Sequence, residues 1–256
     1  MMDHDEDQTG ALFGPAAAGP EDYPLICWRA WPCESCRGSP TPLSFLGPSS
    51  GSSSEGQDGD RNSQIDRRKK AQSARLVDWV NSCPHTQWSD LGLPRLNQGS
   101  EHLVLYDEPR GEVVKVTLPG TYGDYYEIHE NRISQFDSTP EEYFHRMRWW
   151  EKLFSTAPSP VGMTESGQIV SRQKFIFGDP DPPQEKVDQF LLNAGAVAVK
   201  QSCWLWKKTE ADSLWEVWIG DARSDNFVFA AGEIIPIDIR IWGVPIQPGA
   251  VNRITS

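Results

Sequence analysis

The stretch Trp218 to Gly243 reads WIGDARSDNFVFAAGEIIPIDIRIWG and holds the side chains best suited to chemistry. Two apolar runs, Phe227-Val228-Phe229-Ala230 and Ile234-Ile235-Pro236-Ile237, flank the turn signal Ala231-Gly232-Glu233, the pattern of a β-hairpin. Antiparallel pairing places Asn226 opposite Ile237 and Asp238, at cross-strand distances of about 5 Å. Asp221 precedes the first strand, so its loop can fold back to the same end. Two carboxylates and an amide oxygen at one point are hard ligands that suit Mg²⁺ carrying phosphates. Asp and Asn are also common turn formers, and an isolated Asp-x₄-Asn pair arises by chance in many chains. The hairpin that joins this pair to a second Asp argues against chance.

A second signal lies upstream. Gly99 to Tyr106 reads as a strand, Asp107 to Gly111 as a turn, and Glu112 to Leu118 as another strand. On the last, Val114, Val116 and Leu118 share one face, while Val113, Lys115 and Thr117 share the other. A lysine among β-branched residues is costly unless it reaches water or meets an anion. Surface exposure would satisfy it, and so would a nucleotide phosphate. Asp-x₄-Asn followed by a hairpin and Asp is also how kinase catalytic and metal-binding loops are wired.

Other elements must carry these residues. Ser138-Thr-Pro140-Glu-Glu is a helix start, with an N-cap residue, proline in the first turn and acids at the positive dipole end. That helix should run to about Phe154, burying Tyr143, Met147, Trp150 and Phe154. In the kinase pattern a glutamate beside the sheet pairs the strand lysine; Glu127, Glu130, Glu142 and Glu151 all stay open for that role with Lys115. Gln168 to Phe177 reads as a strand leading to a hinge at Gly178. Pro183 to Asn193 reads as a short helix stopped at Gly195. Trp204, Trp206, Trp215 and Trp218 sit at even spacings in a hairpin-like stretch, where they could stack a base or pack a core.

Towards the N-terminus, Ser63 to Ser82 has helical periodicity and ends at Cys83-Pro84. Its basic run Arg67-Arg-Lys-Lys70 reads as a solvated helix face, with an address or a nucleic-acid contact as the alternative. Residues 1 to about 62 are rich in Gly, Pro, Ser and acid, with one apolar island at Tyr23 to Trp31; a disordered tail is expected. Cys33-x-x-Cys36, with Cys27 nearby, offers half of a zinc site, but the second pair of ligands is missing.

The chain has 256 residues, a formal net charge of −12 and 38% hydrophobic residues, room for one medium domain and a tail. An acidic balance argues against broad binding to nucleic acid or anionic membranes. No stretch approaches the ~20 apolar residues of a membrane span. The start Met-Met-Asp-His-Asp-Glu-Asp lacks the basic and apolar regions of a secretory signal, and five irregularly spaced cysteines describe no disulfide framework. A reducing, cytoplasmic setting is expected.

Taken in order, these motifs resemble a known family. Gly99-Ser-Glu-His, Val113-Val-Lys115-Val-Thr, Pro119-Gly-Thr-Tyr-Gly123, Thr139-Pro-Glu-Glu-Tyr143-x₂-Arg146 and Lys152-Leu-Phe154 look like the kinase-like domain of polyvalent proteins of phages and mobile elements. Phe175-Ile-Phe-Gly178, Gly220-Asp-Ala-Arg-x₂-Asn226 and Pro236-Ile-Asp238 continue the match, which runs from about Leu91 to Val244. More distantly, Gly-Asp-x₄-Asn with Ile-Asp is similar to aminoglycoside phosphotransferases and HipA-type kinases.

The resemblance implies an α+β, two-lobed protein-kinase-like fold using ATP and Mg²⁺. After the tail (1–62) and a leading helix (63–84), residues 85–256 would form the kinase-like domain. Its small lobe would span about 91–177 and its larger lobe about 178–256. Lys115 would hold the α/β-phosphates, with Gly99, Ser100 and Gly178 also lining the nucleotide. Asp221 would be the catalytic base, and Asn226 and Asp238 the metal ligands. The phosphate acceptor would be a protein or small-molecule hydroxyl. The chain departs from the kinase pattern in three places. Only Gln98-Gly-Ser-Glu101 stands for a Gly-x-Gly-x-x-Gly loop, Gly220 replaces the Arg before the catalytic Asp, and Ile239-Arg240 replace Phe-Gly. The chain stops at Ser256 without the helices that usually follow, which implies a truncated C-terminal lobe. Two rival classes stay open: a nucleotide-binding pseudokinase acting as a sensor, and an architectural or host-interaction protein.

Overall fold

An amphipathic helix, α1 (Asp58–Ser82), opens the described part of the chain. Its apolar positions Ile65, Leu76, Trp79 and Val80 are all buried, as a one-sided helical stripe requires. The computed structural model describes residues 58–82, 92–129, 132–199, 204–209 and 215–246. The expected tail up to residue 57, the Cys27, Cys33 and Cys36 reading, and the Cys83-Pro84 stop lie outside the described residues. The helix begins at Asp58, before the expected boundary, and Arg61 in that added stretch forms an ion pair with Glu127. The middle of the basic run meets acidic partners: Lys69 Nζ donates to Asp137 Oδ2 at 2.8 Å, and Arg68 faces Glu141 and Glu142 at 3.6 and 3.7 Å, while Arg67 and Lys70 are exposed.

Five antiparallel strands follow as one sheet, ordered β1 (Arg95–Gln98), β2 (His102–Asp107), β3 (Glu112–Thr117), β7 (Ile169–Lys174) and β6 (Ser159–Met163). The strand β1 was not foreseen; its short polar RLNQ sequence carries no alternation, and it is exposed throughout. Lys115 lies at the middle of the sheet, opposite Val104 on one side and Ser171 on the other. Between β3 and the next helix the chain makes a separate hairpin, β4 (Asp124–His129) with β5 (Arg132–Asp137), also absent from the sequence reading.

The helix α2 (Pro140–Leu153) starts with a capping box: the Thr139 hydroxyl accepts from Glu142 N, and the Glu142 carboxylate accepts from Thr139 N. It is the beam of the molecule. Tyr143, Phe144 and Met147 join Leu76, Trp79 and Val80 of α1 with Tyr122, Met163 and Ile169 in one cluster. Trp149, Trp150 and Leu153 join a second cluster built by the rest of the chain. The leading helix is therefore part of the core over the five-stranded sheet.

The second half begins with the short strand β8 (Asp179–Pro180) and helix α3 (Gln184–Asn193). Gly195 stops that helix as expected: its N–H donates to Leu192 O, and Ala196 N–H reaches Leu191 O, the paired bonds of a Schellman ending. A four-stranded antiparallel sheet orders β14 (Arg240–Pro245), β11 (Trp215–Gly220), β10 (Trp206–Thr209) and β9 (Val197–Ala198). Trp206 and Trp218 of its β10–β11 pair are buried, so those two indoles pack the interior. A third sheet pairs β12 (Phe227–Ala230) with β13 (Glu233–Pro236) and β8. The β12–β13 turn is the residue pair Ala231-Gly232, both at positive φ (52° and 87°), since Glu233 already pairs with Ala230; this is the backbone signature of the primed hairpin turns.

The fold is thus α+β, with few helices and antiparallel sheets. No helix among the described residues is long and apolar enough to cross a membrane.

The packing of α1 is testable. Leu76→Ala should cost about 2–5 kcal/mol in chemical denaturation, whereas Arg67→Ala, on the exposed face, should stay within about 0.5 kcal/mol. Equal small losses would show that α1 is an appendage.

Candidate active site

Lys115 is placed by β3, and the residue is almost wholly buried, at 7% exposure. Its Nζ donates to the Ile237 carbonyl at 2.8 Å and to Asp238 Oδ1 at 3.1 Å. It also lies 5.9 Å from the centre of the Trp150 ring of α2. The charge is therefore met across more than a hundred residues of sequence by the segment leaving β13. Partial enclosure works against the charged carboxyl of Asp238, but the Lys115 ammonium outweighs it and holds the group down at about 2. Water still reaches 58% of the Asp238 side chain, which screens this pair below the strength of a fully enclosed one.

Asn226 ends a 3₁₀ turn, Ser224–Asn226, at the mouth of β12. Its carbonyl accepts from Ile237 N at 2.9 Å and Asp238 N at 3.3 Å, so the backbone of the second carboxylate is tied to it. Its side-chain Nδ2 donates to the Asp221 carbonyl at 2.7 Å. That bond steadies Asp221, a non-glycine residue at φ 55°, a conformation that costs on the order of 1 kcal/mol or more. The Asp221 carboxylate accepts from Arg223 Nε at 3.0 Å, and Arg240 Nη2 stands 3.8 Å away. Arg240 is shared with Asp124 of β4 through Nη1 at 2.7 Å. The four residues Lys115, Asp238, Asn226 and Asp221 thus form one continuous polar chain.

The other candidates sit at its margins. Gly99 and Ser100 form the exposed link between β1 and β2, ending four residues before Val104, which faces Lys115. Gly178 follows β7 and lies against β12: a Cβ there would come within 2.5 Å of the Phe229 carbonyl and 2.7 Å of Val228 Cγ1. That close approach admits no side chain. No described contact joins Gly178 to Lys115.

The carboxylate partner of Lys115 is Asp238 and not a helix glutamate. Glu142 closes the capping box, Glu127 pairs with Arg61, and Glu151 is exposed on α2; Glu130 lies outside the described residues. Instead α2 brings Arg146, which pairs with Glu101 at the start of β2. Beside it, His102 Nε2 and the Tyr143 hydroxyl share a hydrogen bond of 2.8 Å. Burial pushes the His102 imidazole down to about 4. Glu101, His102, Arg146 and Arg240 stand within the quoted motifs with no partner assigned to them, and Asp124 belongs to none of those motifs. An arginine on the same helix face as Tyr143 and Trp150 was the available signal, since a charge in an apolar stripe needs an enclosed partner.

Among the described residues no group of three or more His, Cys, Asp or Glu side chains could hold a metal ion. The oxygens of Asp238 and Asn226 are hard donors and fit Mg²⁺, which usually takes one or two protein carboxylates and fills its remaining positions with water and phosphate.

Because the imidazole is held near 4 in the folded chain against 6.5 when free, the unfolded state binds the extra proton between those values. Stability linked to His102 is present above pH 6.5 and lost as pH falls towards 4. Wild type should lose about 3 kcal/mol more across that interval than His102→Gln, read as unfolding free energy at each pH. Parallel curves would show that His102 is not buried neutral.

No family model, curated protein or solved structure matches the chain, which leaves the geometry of these side chains to carry the functional reading.

Proposed function

We propose that this chain is a kinase-like phosphotransferase that moves the γ-phosphoryl group of Mg-ATP to a hydroxyl on a protein or small molecule. The observation that carries the reading is the 3.1 Å contact between Lys115 Nζ and Asp238 Oδ1, with the Asp238 backbone bonded to Asn226. A strand lysine, a carboxylate after a hairpin and an amide five residues beyond another carboxylate are the parts that phosphoryl transfer uses. In this reading the five-stranded sheet and α2 form the small lobe of a kinase-like fold, and residues from about 178 form the larger one. The resemblance to the kinase-like domain of polyvalent proteins points the same way.

Each residue has a separate task. Lys115 neutralises the α/β-phosphates, beside the Gly99-Ser100 link. Asp238 and Asn226 hold Mg²⁺, which when bound neutralises charge on the phosphate oxygens. Asp221 orients the acceptor hydroxyl and takes its proton. The hydroxyl oxygen then bonds to the γ-phosphorus, the bridging β–γ oxygen bond breaks, and ADP leaves with that electron pair. The protein supplies mainly position and charge.

One observation favours a second reading, a nucleotide-binding pseudokinase. The Asp221 carboxylate is already engaged by Arg223 at 3.0 Å, with Arg240 at 3.8 Å, so it does not stand free for an acceptor. In that case Lys115 and Asp238 would bind nucleotide without transfer.

Incubation with γ-labelled ATP, with and without Mg²⁺, separates the two. Transfer should require Mg²⁺ and fall roughly 10²–10⁴-fold in Asp221→Asn, the span of a general acid–base group, while Mg-ATP binding persists. Asp238→Ala and Lys115→Met should weaken nucleotide binding itself. Wild-type binding with no transfer to any acceptor supports the pseudokinase, and absence of binding ends both readings.

A further inference from the structure

Glu101-His102, Gly123 and Tyr143-x₂-Arg146, which have no task so far, meet at one place. Arg146 projects from the middle of α2 and is only 9% exposed. Its guanidinium grips the Glu101 carboxylate with both nitrogens, Nη1 donating to Oε2 at 3.1 Å and Nη2 donating to Oε1. Burial disfavours charge on both groups, yet their attraction outweighs it, holding Glu101 below the usual carboxylate range and Arg146 above its own. The pair is therefore charged and enclosed.

The surroundings are shaped to it. Gly123 stands at φ +76°, and a Cβ there would lie 2.4 Å from Arg146 Nη1 and 2.6 Å from Glu101 Oε2. The Arg146 guanidinium lies over the Tyr143 ring at 4.7 Å, and Tyr143 in turn bonds His102. On the other side, the Glu101 carbonyl accepts from Leu118 N at 2.8 Å and Thr121 Oγ1 at 3.2 Å. Glu101 is thus fastened by backbone and side chain alike, while Gly99 and Ser100 before it are open to solvent.

In protein kinases the helix beside the sheet gives a carboxylate to the strand lysine. Here the helix gives a cation to the loop, and the lysine turns to Asp238. We propose that the Glu101–Arg146 pair is a clasp that holds the Gly99–Glu101 loop where Ser100 and the loop backbone meet nucleotide phosphates beside Lys115. The proposal rests on the nucleotide reading above. Glu101 and Arg146 are positioning residues in it; neither touches the phosphates.

The test compares Mg-ATP with adenosine, which has the base and sugar but no phosphate, by calorimetry on the full chain. Glu101→Gln and Gly123→Ala should raise the Kd for Mg-ATP about 10- to 100-fold, the cost of a misplaced positioning group. Their Kd for adenosine should change less than about twofold. Arg146→Lys keeps the charge without the two-pronged grip and should fall between. Variants that keep their fold and weaken both ligands equally, or neither, overturn the clasp. Should the variants fail to fold, the wild type still answers: Mg-ATP should slow amide exchange at Ser100 and Glu101 and adenosine should not, and equal effects overturn the proposal. A wild type that binds neither ligand removes the nucleotide reading and the clasp together. Wild-type binding that the variants leave intact removes the clasp alone.

Discussion

A lysine ammonium on the inner face of a β-sheet cannot remain charged there without an anion, because desolvation costs several kcal/mol. Lys115 meets that condition through Asp238 and the Ile237 carbonyl. The geometry of the second half of the chain follows from it. The hairpin β12–β13, closed by the two-residue turn Ala231-Gly232, delivers Ile237 and Asp238 to the Lys115 ammonium. Asn226, at the other end of the hairpin, then fixes the outgoing backbone through its carbonyl and the Asp221 loop through its side chain. One ion pair therefore couples the sheet to the loop that carries the proposed base.

The helix α2 makes the coupling rigid. One set of its side chains belongs to the cluster with α1 and the five-stranded sheet, and another to the cluster with α3 and the remaining sheets. Trp149 packs directly on Gly243 of β14, and Trp150 lies beneath the Lys115 ammonium. A helix shared by two cores transmits small shifts between them, since close-packed interiors do not deform freely. The β4–β5 hairpin adds a second tie, stacking Tyr126 on Trp242 at 5.2 Å and placing Asp124 on Arg240.

Charge is distributed with the same economy. The chain is strongly acidic overall, yet the cations around the site are all engaged. Arg240 is shared between Asp124 and Asp221, Arg146 belongs to Glu101, and Arg68 and Lys69 of α1 face Asp137, Glu141 and Glu142. A nucleotide entering such a site would exchange partners with groups already paired. That lowers the net gain from each contact but leaves no isolated charge in the free protein.

Periodicity and turn chemistry carried much of this fold. The helices at 140–153 and 184–193, the strand bearing Lys115 and the hairpin after Asn226 follow from alternation, capping residues and glycine stops. Those signals act over a few residues and are written locally. The Asp-x₄-Asn spacing with its hairpin likewise foretold that Asp221, Asn226 and Asp238 share one end of an element. The partner of Lys115 was beyond that reach, and so were the Glu101–Arg146 pair, the Arg240–Asp124 tie and the polar edge strand at 95–98. Each of these depends on which distant surfaces close on one another, and a carboxylate carries no mark of the cation it will meet. Burial makes an unpaired charge intolerable, and only the packing of α2 between two cores decides which charges are buried together.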